Sequence, residues 1–371
     1  ARLLETPNQR LALEGPPGIG KTRLVLAIAY DPVILQHFTG GILMMGLGQH
    51  PDIELHLRGW AAALGLEHDP RLSIAEQVER ITMQIRDQGK PCLLIVDDVW
   101  KAEHCSFLPS DDLISTVLTG RQRDASDLNS LVADDSLFTV PPLESEAALE
   151  LLYMHTGWAT PEQADALSAL AALCGGSPLL LVLLGGYLRQ HQVHNEDWFS
   201  LTLDDLDRAA LRAKQSAEPI EQTRLNLQDG LIARLRYKPI NQPLHPRVII
   251  ELCTNVLPHL ARIAFVQMAA LPPDPLSFGV ETAKAITGTD DQTIKLLLNS
   301  ALLSEPSPGR LQIHRMLIDW AKQRHHTEVD EAQQRLATWT LDLVRSSASE
   351  ELAIWRQHSD NWHPRLQLWH R

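Results

Sequence analysis

The sequence has few of the features that indicate a membrane, secreted or nucleic-acid-binding protein. Only 4 of its 371 residues are cysteine, 5% are aromatic, and 33 Lys and Arg are outnumbered by 46 Asp and Glu. The longest apolar run, residues 177–186, is about half of the ~20 residues that a membrane-spanning helix needs. We therefore expect no membrane span. The net charge of −13 also excludes a broad basic surface for nucleic acid.

The cysteines and the N-terminus indicate a cytoplasmic location. Cys92, Cys105, Cys174 and Cys253 lack the spacing of a metal or redox site, so we expect reduced thiols. No basic segment followed by an apolar one opens the chain, so no secretory signal is expected. The start at Ala1 suggests a piece of a longer protein.

The order of patterns along the chain divides it into four parts. Over residues 1–140, apolar runs of strand length alternate with amphipathic helices, which predicts an α/β domain with a parallel sheet flanked by helices. Residues 141–240 read as a helical subdomain with a connector. Residues 241–326 have the helix, helix, helix, hairpin order of a winged helix, with a turn at 306–309. Residues 327–371 read as C-terminal helices.

Two segments have less distinctive patterns. Residues 195–245 are polar with poor periodicity, and we interpret them as a connector with some helix. The tail, residues 328–371, has apolar residues at helical spacing, and five of the nine Trp fall in the last 52 residues. Two interpretations of the tail stay open: the start of a helical-repeat array, or a helical hairpin that caps the winged helix.

A phosphate-binding motif lies at residues 15–22, Gly-Pro-Pro-Gly-Ile-Gly-Lys-Thr. It matches G-x-x-x-x-G-K-[ST] in full, between an apolar strand and a helix. Its backbone N–H groups and the helix N-terminus favour phosphate, Lys21 would reach the β- and γ-phosphates, and the Thr22 hydroxyl would bind Mg²⁺. The residues predicted to contact the nucleotide here are Gly15, Pro17, Gly18, Ile19, Gly20, Lys21, Thr22 and Arg23.

An acidic strand end supplies the second half of such a site. Residues 93–98 read Leu-Leu-Ile-Val-Asp-Asp, so Asp97 ends an apolar strand. There it would hold Mg²⁺ opposite Thr22. Asp98 would position or deprotonate the attacking water.

A third strand, residues 114–120, leads directly into Arg121. In a parallel sheet this strand end lies beside that of the acidic strand, where Arg121 would sense or stabilise the γ-phosphate. Arg123 is close enough in sequence to compete for this role.

These three elements, in this order, resemble the NB-ARC family of STAND nucleotide-switch ATPases. Residues 93–100 nearly match the second kinase motif of that family, and residues 140–152 resemble the entry to its first helical subdomain. Residues 174–180 are similar to its Gly-Leu-Pro-Leu motif, and residues 313–315 occupy the place of its Met-His-Asp motif. The resemblance covers roughly residues 10–325.

The resemblance implies two further nucleotide contacts. Pro178 would pack on the adenine, and His314 would contact the β-phosphate of ADP and lock a closed state. From the residues alone, Pro178 is equally compatible with a simple helix start, and His314 with an interface histidine. Arg315 stands where the family usually has Asp, which leaves the strength of autoinhibition open.

The function that the resemblance implies is a molecular switch with ATP or ADP and Mg²⁺ as cofactors. ADP would hold a closed monomer, and exchange for ATP with Mg²⁺ would open it for self-association and signalling. Slow hydrolysis, a weak ATPase activity, would reset it. An unidentified ligand or effector would act through domains outside this chain.

Two other functions are compatible with the motifs. A ring ATPase of the AAA+ kind would need an arginine finger, for which Arg123 or Arg262 are the candidates, and sustained rapid turnover would favour it. A transcription regulator would need a DNA-binding domain outside this chain. The helix at 290–302, which would read DNA in a winged helix, carries Asp290 and Asp291 but only Lys295 as a base.

Overall fold

The computed structural model describes residues 2–5, 8–49, 51–67, 69, 71–121, 128–157, 163–191, 197–215, 225, 232, 243–274 and 276–357. Its N-terminal part contains a five-stranded sheet in the order β2-β3-β4-β1-β5, and each neighbouring pair is parallel. This confirms the parallel sheet expected from the sequence. The strands are β1 (Arg10–Glu14), β2 (Gly41–Gly46), β3 (Cys92–Val99), β4 (Ile114–Gly120) and β5 (Leu137–Thr139).

Helices cover both faces of this sheet. Their bounds are α1 (Arg2–Glu5), α2 (Lys21–Ala29), α3 (Pro32–His37), α4 (Ile53–Ala63) and α5 (Ile74–Gln88). Successive side chains of a strand point to opposite faces. Accordingly, Leu93 and Ile95 of β3 share a buried cluster with Val25 of α2. Leu94 and Val96 join a second cluster with α4 and α5. We call residues 8–140 the P-loop domain.

The strand order brings three carboxyl ends to one edge of the sheet. β4 lies between β1 and β3, and the three strands are parallel. The loop that follows β1, the acidic end of β3 and the residue that follows β4 therefore meet at one place. This is the position where ligands bind in open parallel sheets.

The acidic strand differs from its prediction, because β3 does not end at Asp97. The strand continues to Val99, with a shift in its pairing to β4 between Val96 and Val99. Asp98 has a φ of +57°, a left-handed conformation that Asp tolerates better than most residues. This bulge interrupts the alternation of side chains, so that Asp97 and Asp98 both line one cavity.

Residues 141–255 form what we call the helical module. Its helices are α6 (Ser145–Thr156), α7 (Ala164–Leu173), α8 (Pro178–His191), α9 (Trp198–Gln215) and α10 (Pro246–Asn255). The 18-residue helix α9 lies within residues 195–245, for which the sequence predicts a connector with some helix. Its buried face repeats at helical spacing, but Thr202, Ala209 and Ala213 supply much of it, and these small side chains give a weak apolar signal. Most of the remaining connector lies outside the described residues.

Residues 257–325 form a second small unit, the small-sheet module. It contains α11 (His259–Met268), β6 (Phe278–Gly279), α12 (Val280–Thr287), α13 (Asp291–Asn299), β7 (Ser304–Ser307), β8 (Arg310–Gln312) and α14 (Arg315–Arg324). The antiparallel sheet has the order β6-β8-β7. Strand β6 was not expected, and β7 extends to Ser307, so the turn is shorter than the predicted 306–309. A long helix, α15 (His326–Gln357), follows.

One buried cluster runs from α6 through the small-sheet module to α15, whereas the P-loop domain has its own two clusters. Glycine permits a close approach of α8 to the end of α13 within the first cluster. A Cβ atom at Gly186 of α8 would lie 2.7 Å from the carbonyl oxygen of Ser300, just after α13.

In the described part of the chain, no helix has both the length and the apolar character needed to cross a membrane.

We predict that Gly186→Ala destabilises the protein by about 1–3 kcal/mol, because the added methyl group overpacks the contact with Ser300. Gly59→Ala in α4 is the matched control, since a Cβ there meets no atom within 4 Å. That change should stabilise by up to about 1 kcal/mol through helix propensity. Thermal unfolding measures both variants, and equal midpoints for the two would contradict the packing described.

Candidate functional site

A cavity of about 260 Å³ lies where the P-loop domain, the helical module and the small-sheet module meet. The phosphate loop, the ends of β3 and β4, the start of α8 and the start of α14 all contribute to its wall. The predicted site residues that line it are Pro17, Gly18, Gly20, Lys21, Thr22, Arg23, Asp97, Asp98, Arg121, Pro178 and His314. Gly15 and Ile19 support the loop from behind, where a Cβ at Gly15 would lie 3.1 Å from Ile19 Cγ2.

The phosphate loop has the backbone of an anion cradle. Gly18 and Gly20 have φ of +77° and +103°, which glycine adopts without strain. Gly20 is also the N-cap of α2, and it has no side chain that could accept hydrogen bonds from the first-turn amides. These amides and the positive end of the helix dipole therefore suit a phosphate group.

Lys21 folds over this loop. Its Nζ donates hydrogen bonds to the carbonyl oxygens of Gly15 (2.8 Å) and Pro16 (3.0 Å). Burial lowers the pKa of Lys21 to about 8, against the opposing effect of Asp97 and Asp98. The ammonium group is thus poorly compensated in its pocket, which favours binding of an added anion.

Asp97 is a buried carboxylate held by two hydroxyl groups. Thr119 Oγ1 donates to its Oδ1 at 2.5 Å, and Thr22 Oγ1 lies 3.0 Å from both carboxylate oxygens. Burial raises the pKa of Asp97, while the two hydroxyl groups oppose the shift. A threonine hydroxyl beside a carboxylate suits Mg²⁺, which takes few protein oxygens and completes its shell with phosphate and water. Thr119 was not predicted as a site residue.

Asp98 and Arg121 lie side by side but are already engaged. Arg121 Nε is 3.7 Å from Asp98 Oδ1, and its Nη2 donates to Asp319 of α14 at 3.1 Å. The Arg121 guanidinium lies 4.2 Å from the centre of the Trp100 ring, and Trp100 Nε1 donates to Asp98 Oδ2. Arg121 therefore contacts the small-sheet module as well as the strand end from which it extends.

The start of α8 contacts the phosphate loop directly. Ser177 Oγ and the Leu179 amide both donate to the carbonyl oxygen of Gly18, at 3.2 and 3.3 Å. Pro178 is the first residue of α8, and its ring faces Gly20. A Cβ at Gly18 would lie 3.1 Å from Met316 Cε and 3.2 Å from Leu179, so this loop residue touches both other modules.

His314 is the N-cap of α14, which begins at Arg315. Its Nδ1 accepts a hydrogen bond from the Met316 amide at 3.1 Å. Because Nδ1 accepts this hydrogen bond, the proton of the ring is assigned to Nε2, and burial, which lowers the pKa of His314, favours this neutral form. The ring can therefore donate a hydrogen bond to an anion in the cavity.

Sequence reasoning missed the ion pair of Arg315 with Asp98. In this pair, Arg315 Nε lies 3.0 Å from Asp98 Oδ2. Position 315 stands out in the sequence as a departure from the expected Asp, but no local pattern indicates its partner. Of the two proposed arginine fingers, Arg123 lies outside the described residues. Arg262 in α11 contacts Asn255 instead.

Part of this chain is similar to known proteins. The family model of the NB-ARC domain matches residues 1–161. Apoptotic protease-activating factor 1 of Danio rerio is 28% identical over 202 residues, which are 51% of this chain and 15% of that protein. A probable disease resistance protein of Arabidopsis thaliana is 28% identical over 204 residues, which are 51% of this chain and 23% of that protein.

A solved structure has a similar fold. It is the crystal structure of a Signal Transduction ATPase with Numerous Domains (STAND) protein with a tetratricopeptide repeat sensor, from Pyrococcus horikoshii. Its TM-score is 0.54 at 15% identity, with 91% of this chain and 43% of that chain covered. The chain thus spans less than a quarter of either curated relative and under half of this structure. The part of the chain that is similar to the NB-ARC domain is therefore residues 1–161, which is less than half of its length.

Proposed function

We propose that this chain is an ATP/ADP-operated switch. ADP holds a closed monomer, exchange for ATP with Mg²⁺ opens it for self-association and signalling, and slow hydrolysis resets it. One observation carries the proposal: a single cavity is lined by the phosphate loop, by Pro178 of the helical module and by His314 of the small-sheet module. A ligand in that cavity touches all three modules at once.

A ligand that contacts all three modules shifts the equilibrium between the different arrangements of those modules. It stabilises the arrangement that it binds more tightly, by an amount that depends on its differential affinity. ADP, which we assign to this cavity, stabilises the arrangement described here. A γ-phosphate with Mg²⁺ needs space near Asp97 and Arg121, where the small-sheet module now lies.

Each wall of the cavity suits one part of the nucleotide. The loop amides and Lys21 hold the phosphates, Pro178 packs on the adenine, and the His314 Nε2–H donates to the β-phosphate. Thr22 and Asp97 hold Mg²⁺, which when bound neutralises phosphate charge during hydrolysis. Asp98 would position or deprotonate the attacking water, and Arg121 would sense or stabilise the γ-phosphate.

The fold of the small-sheet module supports a role in packing rather than in reading DNA. We interpret it as a winged helix in which α13 would be the reading helix. Ile294 and Leu297 of α13 are buried in the shared core. Lys295 is its single basic residue. The proposed partners are the nucleotide, further copies of the chain, and a ligand or effector bound elsewhere in the full-length cytoplasmic protein.

We expect Lys21→Ala to weaken nucleotide binding roughly 30-fold or more, because the variant lacks the ammonium group that pairs with the phosphates. Lys90→Ala, an exposed lysine next to β3, is the control and should bind normally. Titration of both variants with fluorescently labelled ATP gives the affinities. Intact binding by Lys21→Ala would refute the proposed function.

Removal of Mg²⁺ should weaken ATP binding in the wild-type chain, and Asp97→Asn should abolish that dependence. The reason is that the variant lacks the carboxylate assigned to the metal. Binding of ATP is titrated with Mg²⁺ and with EDTA for both proteins. An equal Mg²⁺ dependence in both proteins would exclude Asp97 as the metal-binding carboxylate.

His314→Asn should lower ADP affinity about tenfold or more, because Asn replaces the N-cap but lacks the Nε2 donor to a charged phosphate. His245→Asn is the matched control. His245 caps α10 in the same way, through a hydrogen bond from the Arg247 amide to its Nδ1. Calorimetric titration with ADP should separate the two variants, and unchanged affinity in His314→Asn would leave this histidine with a capping role alone.

A further inference from the structure

Two polar side chains of the small-sheet module line the nucleotide cavity, and the proposed function assigns neither of them to a part of the nucleotide. Ser304 begins β7 and Gln312 ends β8, and both contribute to the cavity wall. They pair directly across the antiparallel sheet. Side chains of a directly opposed pair share one face of a sheet, with Cβ atoms about 4.5–5.5 Å apart. Ser304 and Gln312 therefore form one polar patch, which we call the hydroxyl–amide pair.

The alternation of β8 directs Gln312 into the cavity. Leu311 and Ile313 are fully buried in the core that the helical and small-sheet modules share. The alternate residues, Gln312 and His314, line the cavity. Gln312 is only 8% exposed, so its amide group is held in the wall and is not a surface group. Two residues of an extended strand span about 7 Å, which places the Gln312 side chain about that distance from His314 on the same side.

The position of His314 indicates which part of a nucleotide reaches Gln312. Burial is the main cause that lowers the pKa of His314, and the charges of Lys21 and Arg23 lower it further. The cationic end of the cavity, which suits the phosphates, therefore includes His314. Gln312 lies one strand step beyond it. In a nucleoside diphosphate, the group that follows the phosphates is the sugar.

The chemistry of the hydroxyl–amide pair matches a sugar that carries hydroxyl groups. An amide group both donates and accepts hydrogen bonds, and so does a hydroxyl group. Ribose presents two neighbouring hydroxyl groups with the same capacities. By contrast, the α8 residues Leu179 and Val182 line the cavity with apolar side chains. A few placed polar groups in an otherwise apolar wall are what fixes the orientation of a small ligand and its specificity.

We propose that Gln312 and Ser304 bind the ribose hydroxyl groups of the nucleotide and make the cavity selective for ribonucleotides over deoxyribonucleotides. This inference rests on the proposed function and deepens it, because it assigns the sugar. Gln312 hydrogen-bonds one hydroxyl group of the ribose through its amide, and Ser304 hydrogen-bonds the neighbouring one. A nucleotide that lacks a hydroxyl group leaves its buried partner unsatisfied, which lowers the affinity for that nucleotide.

The test is calorimetric titration of the full chain with unlabelled ADP, 2′-deoxy-ADP and 3′-deoxy-ADP. Unlabelled nucleotides are needed because a fluorescent group on the sugar would occupy these hydroxyl groups. The wild type should bind ADP about tenfold tighter than at least one of the two analogues. Gln312→Met keeps the length of the side chain but not its hydrogen bonds. This variant should bind ADP about tenfold more weakly and show no preference for it over that analogue.

The comparison of two nucleotides in two proteins separates sugar recognition from a structural role. A side chain that only supports the fold would, when replaced, weaken ADP and the deoxy analogue by the same factor. Gln77→Met is the matched control, since Gln77 of α5 is also 8% exposed but does not line the cavity. It should keep the selectivity of the wild type. Ser304→Ala changes an exposed position and should lower the selectivity about threefold, so it carries the test if Gln312→Met does not fold.

The outcomes distinguish this inference from the proposed function. Equal affinity of the wild type for ADP and for both deoxy analogues would overturn the inference and leave the switch intact. Wild-type selectivity in Gln312→Met and Ser304→Ala would overturn it as well, and so would its loss in Gln77→Met. A wild-type chain that binds neither ADP nor ATP would overturn the proposed function itself.

Discussion

The close approach of two helices to the phosphate loop at Gly18 is the contact on which the rest of the site depends. The carbonyl oxygen of Gly18 accepts hydrogen bonds from the start of α8, and its Cα faces Met316 at the start of α14. A Cβ atom at this position would press on Leu179 and Met316, and the φ of +77° at Gly18 also favours glycine. Gly18 thus allows the phosphate loop to contact both the helical module and the small-sheet module. These are the two modules whose positions we propose that the nucleotide controls.

The distribution of apolar contacts indicates which parts can move. A continuous core joins the helical module to the small-sheet module, whereas the P-loop domain has two cores of its own. Across the boundary of the P-loop domain, the described contacts include those at Gly18 and the ion pairs of Arg315 with Asp98 and of Arg121 with Asp319. Ion pairs exchange for water and counterions at a much smaller free-energy cost than separation of a packed core. We therefore expect any separation of the modules to occur at this boundary, where the proposed nucleotide lies.

The sequence predicts the parts of the site that are formed by residues adjacent in the chain. Residues 15–22 and the acidic end of β3 carry their chemistry in short motifs, and the alternation of strands and helices predicts the parallel sheet that unites them. It does not predict the left-handed Asp98, because that bulge depends on the register between β3 and β4. Nor does it predict the contact of Arg121 with Asp319, since these residues are 198 positions apart and meet only through docking of modules. The full length of α9 is not predicted for a simpler reason, namely that alanine and threonine supply much of its buried face.

The central claim is that the nucleotide selects the position of the small-sheet module relative to the P-loop domain. All four native cysteines are buried, so spin labels on cysteines introduced at the exposed positions Asp87 of α5 and Gln323 of α14 can be attached selectively. Pulsed electron paramagnetic resonance then gives the distance between the two modules. We expect one short distance with ADP, in agreement with the structure, and a longer one with ATP and Mg²⁺. The same single distance with both nucleotides would contradict the account.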